Sequence, residues 1–185
     1  MEGKIIENIE QLFKKYPELI KTGSKTKQSI FQKIKRKIQN KIPNWYNQIL
    51  TEYPMKGLKI GIPFNYGWES LKDKKQNELP FMITSLNSLN DIEFMANKEF
   101  PGCELIKAGY ICIAPNENND GDGFYINTKE KNPSVIYIYH DCGESTSELI
   151  KNGQIISKSF SDFLAIIRPT KFAEKWLDEN EELWK

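Results

Sequence analysis

The stretch that decides the fold is residues 109–167, which contains GYICIAP (109–115), FYIN (124–127), VIYIYHDCG (135–143) and IISKSFSDFLAII (155–167). The first three pieces are rich in β-branched and aromatic residues, and Gly, Asn, Asp and Pro separate them, which predicts three short strands joined by turns. A fourth strand is predicted at residues 153–157, after a variable polar connection. Ser159, with Asp162 three residues later, has the pattern of a capping box, so we expect a closing helix.

The rest of the chain surrounds this block with helices. Apolar spacing predicts amphipathic helices within residues 1–41 and another that Pro43 opens. Further predictions are strands at 58–64 and 81–86, a helix at 88–98, a turn at 101–103 and a terminal helix over 170–185. The sequence therefore predicts one α+β domain over residues 1–185, with its core at about 42–167 and a mostly antiparallel sheet of about six strands flanked by helices.

The 185 residues carry a formal net charge of only +1, but the charges are segregated along the chain. Residues 21–41 contain eight basic residues and no acidic one. Residues 115–148 contain seven acidic residues, namely Glu117, Asp120, Asp122, Glu130, Asp141, Glu144 and Glu148, against two lysines. Each segment therefore predicts a surface of one sign.

Features that would place the chain in a membrane or outside the cell are not apparent in the sequence. Charges interrupt the apolar positions of the N-terminus, and there is no apolar run of bilayer-spanning length. Three cysteines are an odd number for a disulfide framework. We therefore expect a cytoplasmic protein with reduced thiols and no membrane partner.

Several motifs, in this order and spacing, resemble the SUKH superfamily, which contains the fungal Smi/Knr cell-wall-synthesis regulators and many bacterial immunity proteins. Residues 42–46 (IPNWY) resemble the family's Leu-Pro, acidic, aromatic helix opening, with Ile in place of Leu. Residues 109–127 resemble its Gly-rich hairpin, although Ala114 and Asn127 replace the usual Gly and Asp. VIYIYHD and the Ser159 helix resemble its next strand and closing helix.

This resemblance implies an α+β fold, a non-enzymatic binding role and no shared catalytic residues. The expected function is that of a bacterial immunity protein that neutralises a cognate toxin, such as a nuclease, by direct binding. One alternative is a regulatory scaffold of the same fold that binds a cellular protein. Another is a small metal- or thiol-dependent hydrolase that uses His140, Asp141 and Cys142.

Metal binding has two candidate sites, and neither has a full ligand set. His140 is the only histidine, and the cysteines around it fit no zinc spacing, which favours a hydrogen-bonded structural histidine. Asn118, Asp120 and Asp122 match the first half of a calcium loop, but Lys129 stands where the twelfth-position glutamate is required. We therefore expect a hairpin turn there, no metal and no cofactor.

The predicted partner surface combines acidic loops with aromatic anchors. A toxin nuclease must be basic where it holds nucleic acid, so an acidic partner can compete for that site. Tyr66 and Trp68 lie in a polar loop, and these residue types concentrate binding energy at interfaces, although a packing role is equally open. The predicted partner-binding residues are Tyr66, Trp68, Glu117, Asp120, Asp122, Asp141 and Glu144. The basic helix at 29–41 has a single arginine and no interleaved exposed aromatics, which disfavours nucleic acid as a partner. We therefore expect its charged side chains to form a solvated face.

Overall fold

The structure is a computed structural model that describes residues 2–38, 41–67, 73, 75, 79–116 and 121–180. In these residues the elements are, in chain order, α1 (Glu2–Lys15), a 3-10 helix (Pro17–Lys21), α2 (Gln28–Lys37), α3 (Asn44–Glu52), β1 (Lys59–Pro63), β2 (Phe81–Ser85), α4 (Leu89–Asn97), α5 (Gly102–Ala108), β3 (Tyr110–Pro115), β4 (Gly123–Asn127), β5 (Val135–Ile138), α6 (Thr146–Asn152), β6 (Gln154–Ser157), α7 (Phe160–Ile166) and α8 (Thr170–Glu179). The predicted α+β class is confirmed.

The six strands of the described residues form two antiparallel sheets instead of the one that the sequence predicted. The smaller sheet pairs β1 with β2, and the larger has the order β3-β4-β5-β6. Asn87 joins the sheets: its N–H donates to the carbonyl of Ile113 at 2.7 Å, and its Nδ2 donates to that of Cys112 at 3.0 Å. Since both bonds are buried, the two sheets are fixed edge to edge.

The larger sheet is covered on both faces. Alternate residues of β4 and β5 belong to different apolar clusters, as strand geometry requires. Phe124 and Tyr137 enter the main core, to which α1, α3 and α7 also contribute. Tyr125 and Ile136 enter a smaller cluster with side chains from α4, α5 and α6. A sheet buried on both faces explains why β5 is apolar throughout.

Helix caps confirm several predicted boundaries. Ser88 and Asp91 form a reciprocal capping box at the start of α4. The Ser159 hydroxyl accepts the Asp162 N–H at 3.1 Å, and the Asp162 carboxylate lies 3.5 Å from Lys4 Nζ of α1. The closing helix therefore begins where the sequence predicted, and α1 packs against it.

Two predictions about connections are wrong. The turn predicted at residues 101–103 is the start of α5, and the polar connection before β6 contains α6, which a Ser145–Glu148 capping box begins. Each helix has only seven residues, which is too short for a clear helical period in the sequence. The last residues of the predicted terminal helix, 181–185, lie outside the described residues. None of the described helices has the length and apolarity needed to cross a membrane.

Candidate partner-binding surface

An aromatic ladder rises from the core to the surface at one end of the larger sheet. Phe64 and Tyr137 are fully buried, with ring centroids 4.7 Å apart. Tyr66 packs edge-on against Phe64 at 4.8 Å, and Tyr139 packs against Tyr137 at 4.9 Å. The two outer tyrosines, both half-buried, thus rest on a rigid apolar base.

Tyr139 lies close enough to Tyr66 to influence its ionisation. Burial raises the pKa of Tyr66 to about 12, and Tyr139 adds a smaller contribution. Burial also raises the pKa of Tyr139, and the carboxylates of Asp122 and Asp141 raise it further. At neutral pH both rings are therefore neutral phenols, beside acidic groups.

Asp122 and His140 meet because they follow the register of the central hairpin. Asp122 directly precedes β4, His140 follows β5 by two residues, and Gly123 lies opposite Ile138. The Oδ1 atom of Asp122 accepts the His140 backbone N–H at 2.6 Å and lies 2.8 Å from His140 Nδ1. This pair fixes the turn before β4 to the end of β5.

The structure changes the role of one predicted site residue. Asp122 is only 6% exposed, so it does not belong to an accessible acidic face. Its carboxylate serves the contact with His140 instead. Of the other predicted acidic residues, Asp141 and Glu144 are exposed.

The acidic surface continues from Asp141 to the start of α6. Glu148 accepts hydrogen bonds from the hydroxyl and N–H of Ser145 and from the N–H of Glu144, and these bonds lower its pKa. Glu148 is therefore negative at neutral pH, beside Glu144. Trp68, Glu117 and Asp120 lie outside the described residues.

Tyr139 is a surface residue that the sequence analysis missed. It follows β5 and continues the alternation of Val135 and Tyr137, which would have placed it on the face of the main core. Because the strand ends at Ile138, Tyr139 is left at the rim of that face.

The cysteines provide poor conditions for thiol chemistry at neutral pH. Burial raises the pKa of Cys112 to about 12, and its Sγ donates to the Ala114 carbonyl at 3.5 Å. Burial also raises the pKa of Cys142, beside His140. Both thiols are therefore protonated, whereas nucleophilic catalysis needs a thiolate. In the part of the chain that the structure describes, no three His, Cys, Asp or Glu side chains could hold a metal ion.

The basic helix lies elsewhere and has partners of its own. Phe31 and Ile34 of α2 are buried, whereas Lys33 and Arg36 are exposed. Lys37 pairs with Glu93 of α4 at 2.8 Å. The helix therefore uses one face for packing and part of its charge for a contact within the protein.

Comparison with known families assigns the chain to one family. The model of the SMI1 / KNR4 family (SUKH-1) matches residues 25–166. The chain belongs to the SMI1/KNR4 family. No curated protein and no solved structure matches it. The SUKH-1 match runs from just before α2 to the end of α7, and it includes the aromatic ladder and the Asp122–His140 pair.

Helices outside the SUKH-1 match pack against it. Asn8 of α1 donates to the Ser161 carbonyl of α7 at 2.7 Å. Ala173 of α8 is fully buried and packs over Gly61 of β1. A Cβ added to Gly61 would lie 3.4 Å from the Cβ of Ala173. The two terminal helices thus share the core of the matched region.

Proposed function

We propose that this SUKH-1 chain is a non-enzymatic protein-binding module, a bacterial immunity protein that neutralises a cognate toxin by direct binding in the cytoplasm. The observation that carries the proposal is the meeting of Tyr66 and Tyr139 with exposed acidic residues at one end of the sheet. Family membership supports a binding role, because the SUKH resemblance implies no shared catalytic residues.

The tyrosines suit the centre of an interface. Tyrosine offers a large contact area with only two rotatable side-chain bonds, so ordering it on binding costs little entropy. Tyr66 and Tyr139 are also held by buried rings, which reduces that cost further. They would supply affinity, because a partner that covers them removes the apolar surface of both rings from water.

The exposed carboxylates suit the outer edge of an interface. Asp141, Glu144 and Glu148 present negative charge to solvent, and such charge speeds the approach of a basic protein more than it tightens the final complex. A nuclease toxin is such a protein, since its substrate-binding surface must attract phosphates. Covering that surface would inhibit it without any catalysis by the immunity protein.

The experiment begins with the tagged full chain as bait in its source cell. The co-purifying protein is then produced in a host cell under an inducible promoter, with and without this chain. We expect growth arrest that this chain relieves, and a stable complex of the two purified proteins. A partner that is not toxic would instead favour the regulatory scaffold, and a partner that binds equally well after Tyr66→Ala and Tyr139→Ala would remove this surface from the proposal.

A further inference from the structure

A second feature at the same end of the fold is a cavity of about 460 Å³ between α4 and the loop that follows β2. Its apolar lining includes Leu86, Phe94 and Met95. Pro115 and Gly121 complete the wall on the side of β3 and β4. Because Asp122 directly follows Gly121 and holds His140, this cavity lies next to the surface assigned above.

The wall of the cavity is firmly held. Gly121 has φ = +88° and packs against the Phe100 carbonyl so closely that no side chain would fit there. Its own carbonyl accepts the Tyr125 hydroxyl at 3.1 Å. The Asn116 N–H donates to the Asp122 carbonyl at 2.8 Å. The side of the wall at Gly121 is therefore fixed by contacts within the protein.

The chemistry of the lining combines an exposed aromatic ring with carboxylates. Phe94 is 54% exposed, so its ring is accessible to a ligand in the cavity. Asp91 lies three residues before it, on the same face of α4, and Glu99 follows the helix. Among the described lining residues these two carboxylates have no cationic counterpart.

This combination fits one kind of side chain. Lysine and arginine have an aliphatic stem that packs on apolar surface and a cationic head that favours an aromatic face or a carboxylate. We propose that the cavity is an anchor site for a lysine or arginine side chain of a basic protein partner, with the stem against Phe94 and Met95 and the head at Glu99 and Asp91. This inference rests on the proposed function for the identity of the partner, but the cavity's preference can be tested alone.

The first test uses defined peptides and the full chain. Acetyl-Gly-Lys-Gly-amide and its arginine analogue are titrated into isotopically labelled protein, with backbone amide shifts as the readout. The control peptide has norleucine in place of lysine, which keeps the stem and removes the charge. We expect saturable shifts at residues 85–99 with the cationic peptides, and at least about fivefold weaker binding of the norleucine peptide.

Matched variants locate the binding. Phe94→Ala with Glu99→Gln should lower the affinity for the cationic peptides by about fivefold or more. The control variant, Phe172→Ala with Glu174→Gln, removes an exposed phenylalanine and a carboxylate from α8. It should bind the cationic peptides with the same affinity as the parent. Equal binding to both double variants, equal binding of the norleucine peptide, or no saturable shift at residues 85–99 would overturn the inference.

The partner captured in the pull-down separates this inference from the proposed function. If the partner is a toxin that binds the parent and the Phe94→Ala, Glu99→Gln variant equally, the function stands and the cavity assignment is wrong. If the partner is no toxin but the peptides bind as expected, the cavity assignment stands and the immunity role is wrong.

Discussion

The Asp122 carboxylate receives both the backbone N–H and the ring Nδ1 of His140, at 2.6 and 2.8 Å. A carboxylate only accepts hydrogen bonds, so Nδ1 carries the proton in this contact. Asp122 is buried while the His140 side chain is about half exposed. The pair therefore joins the inside of the central hairpin to the candidate partner-binding surface, and it gives the only histidine a structural role.

The first prediction is that Asp122→Ala lowers the free energy of unfolding by about 2–3 kcal/mol, because two donors of His140 lose a buried charged acceptor. Asp122→Asn keeps an acceptor oxygen and should lose about 1 kcal/mol less. Urea unfolding measures both. Asp141→Ala is the control, since Asp141 is exposed and its removal should cost less than about 0.5 kcal/mol. Equal losses for Asp122→Ala and Asp141→Ala would show that the buried contact contributes nothing.

The second prediction concerns the closing helix. Phe163 is fully buried, stacks on Phe160 at 5.9 Å and lies 6.4 Å from Phe124. Phe163→Ala should therefore lower the free energy of unfolding by about 3–5 kcal/mol, as cavities in well-packed cores do. Phe172→Ala on α8, where the ring is 38% exposed, should cost about 1 kcal/mol or less. Calorimetric melting that is unchanged by Phe163→Ala would contradict the packing of α7.

Local rules predicted much of this fold. Ser88 and Ser159 each mark a helix start through a bond to a backbone N–H three residues later, and such bonds are readable in the sequence. The β-branched and aromatic runs similarly predicted the strands of the larger sheet. Family resemblance then implied the same α+β class, but not the division of the strands into two sheets.

The errors have different physical reasons. The burial of Asp122 follows from the register of β4 with β5, which no local pattern near Asp122 reveals. The start of α6 depends on the Ser145–Glu148 box, whose short helix has just one fully buried residue, Leu149. Long-range contacts thus decided which acidic residues are exposed, and charge counting alone could not.

The third prediction concerns alkaline pH. Burial raises the pKa of the Cys112 thiol from an ordinary 9.0 to about 12 in the folded protein. Above about pH 9 the unfolded chain releases this proton and the folded chain keeps it, so stability that is complete below pH 9 falls as pH rises toward 12. The slope from this one group is at most about 1.4 kcal/mol per pH unit.

Cys112→Ala should flatten this loss between about pH 8.5 and 9.5, because the buried tyrosines begin to contribute only near their ordinary pKa of 10.0. The measurement is the urea midpoint as a function of pH, and Cys103→Ala, at a half-buried thiol, is the control. The same decline in the parent and in Cys112→Ala would assign the alkaline loss to other groups.

The fourth prediction concerns metals. Asp122 is occupied by His140, and no group of three potential ligands is present in the described parts of the chain. We therefore expect less than stoichiometric zinc and calcium when protein purified without chelators is analysed for elements. One equivalent of zinc that His140→Ala removes would contradict this and would favour the hydrolase alternative.

The last prediction tests the acidic surface. Asp141→Lys with Glu144→Lys should slow association with the captured partner by about tenfold and leave dissociation less affected, because rim charges act mainly on encounter. The effect should shrink as salt rises, since the Debye length is only about 8 Å at physiological ionic strength. Asp122 is left unchanged, because its burial would confuse binding with folding. Stopped-flow kinetics at several salt concentrations measure the rates.

The matched control is Glu174→Lys with Asp178→Lys, which changes the net charge equally but on α8. A slower rate in the Asp141 and Glu144 variant alone assigns the steering to this surface. Equal slowing in both variants would mean that net charge alone acts, without a local acidic surface. If neither variant slows association and the cell stays protected, the acidic residues are only a solvated face. The contact should then be sought on the basic helix at residues 29–41, starting with the exposed Lys33 and Arg36.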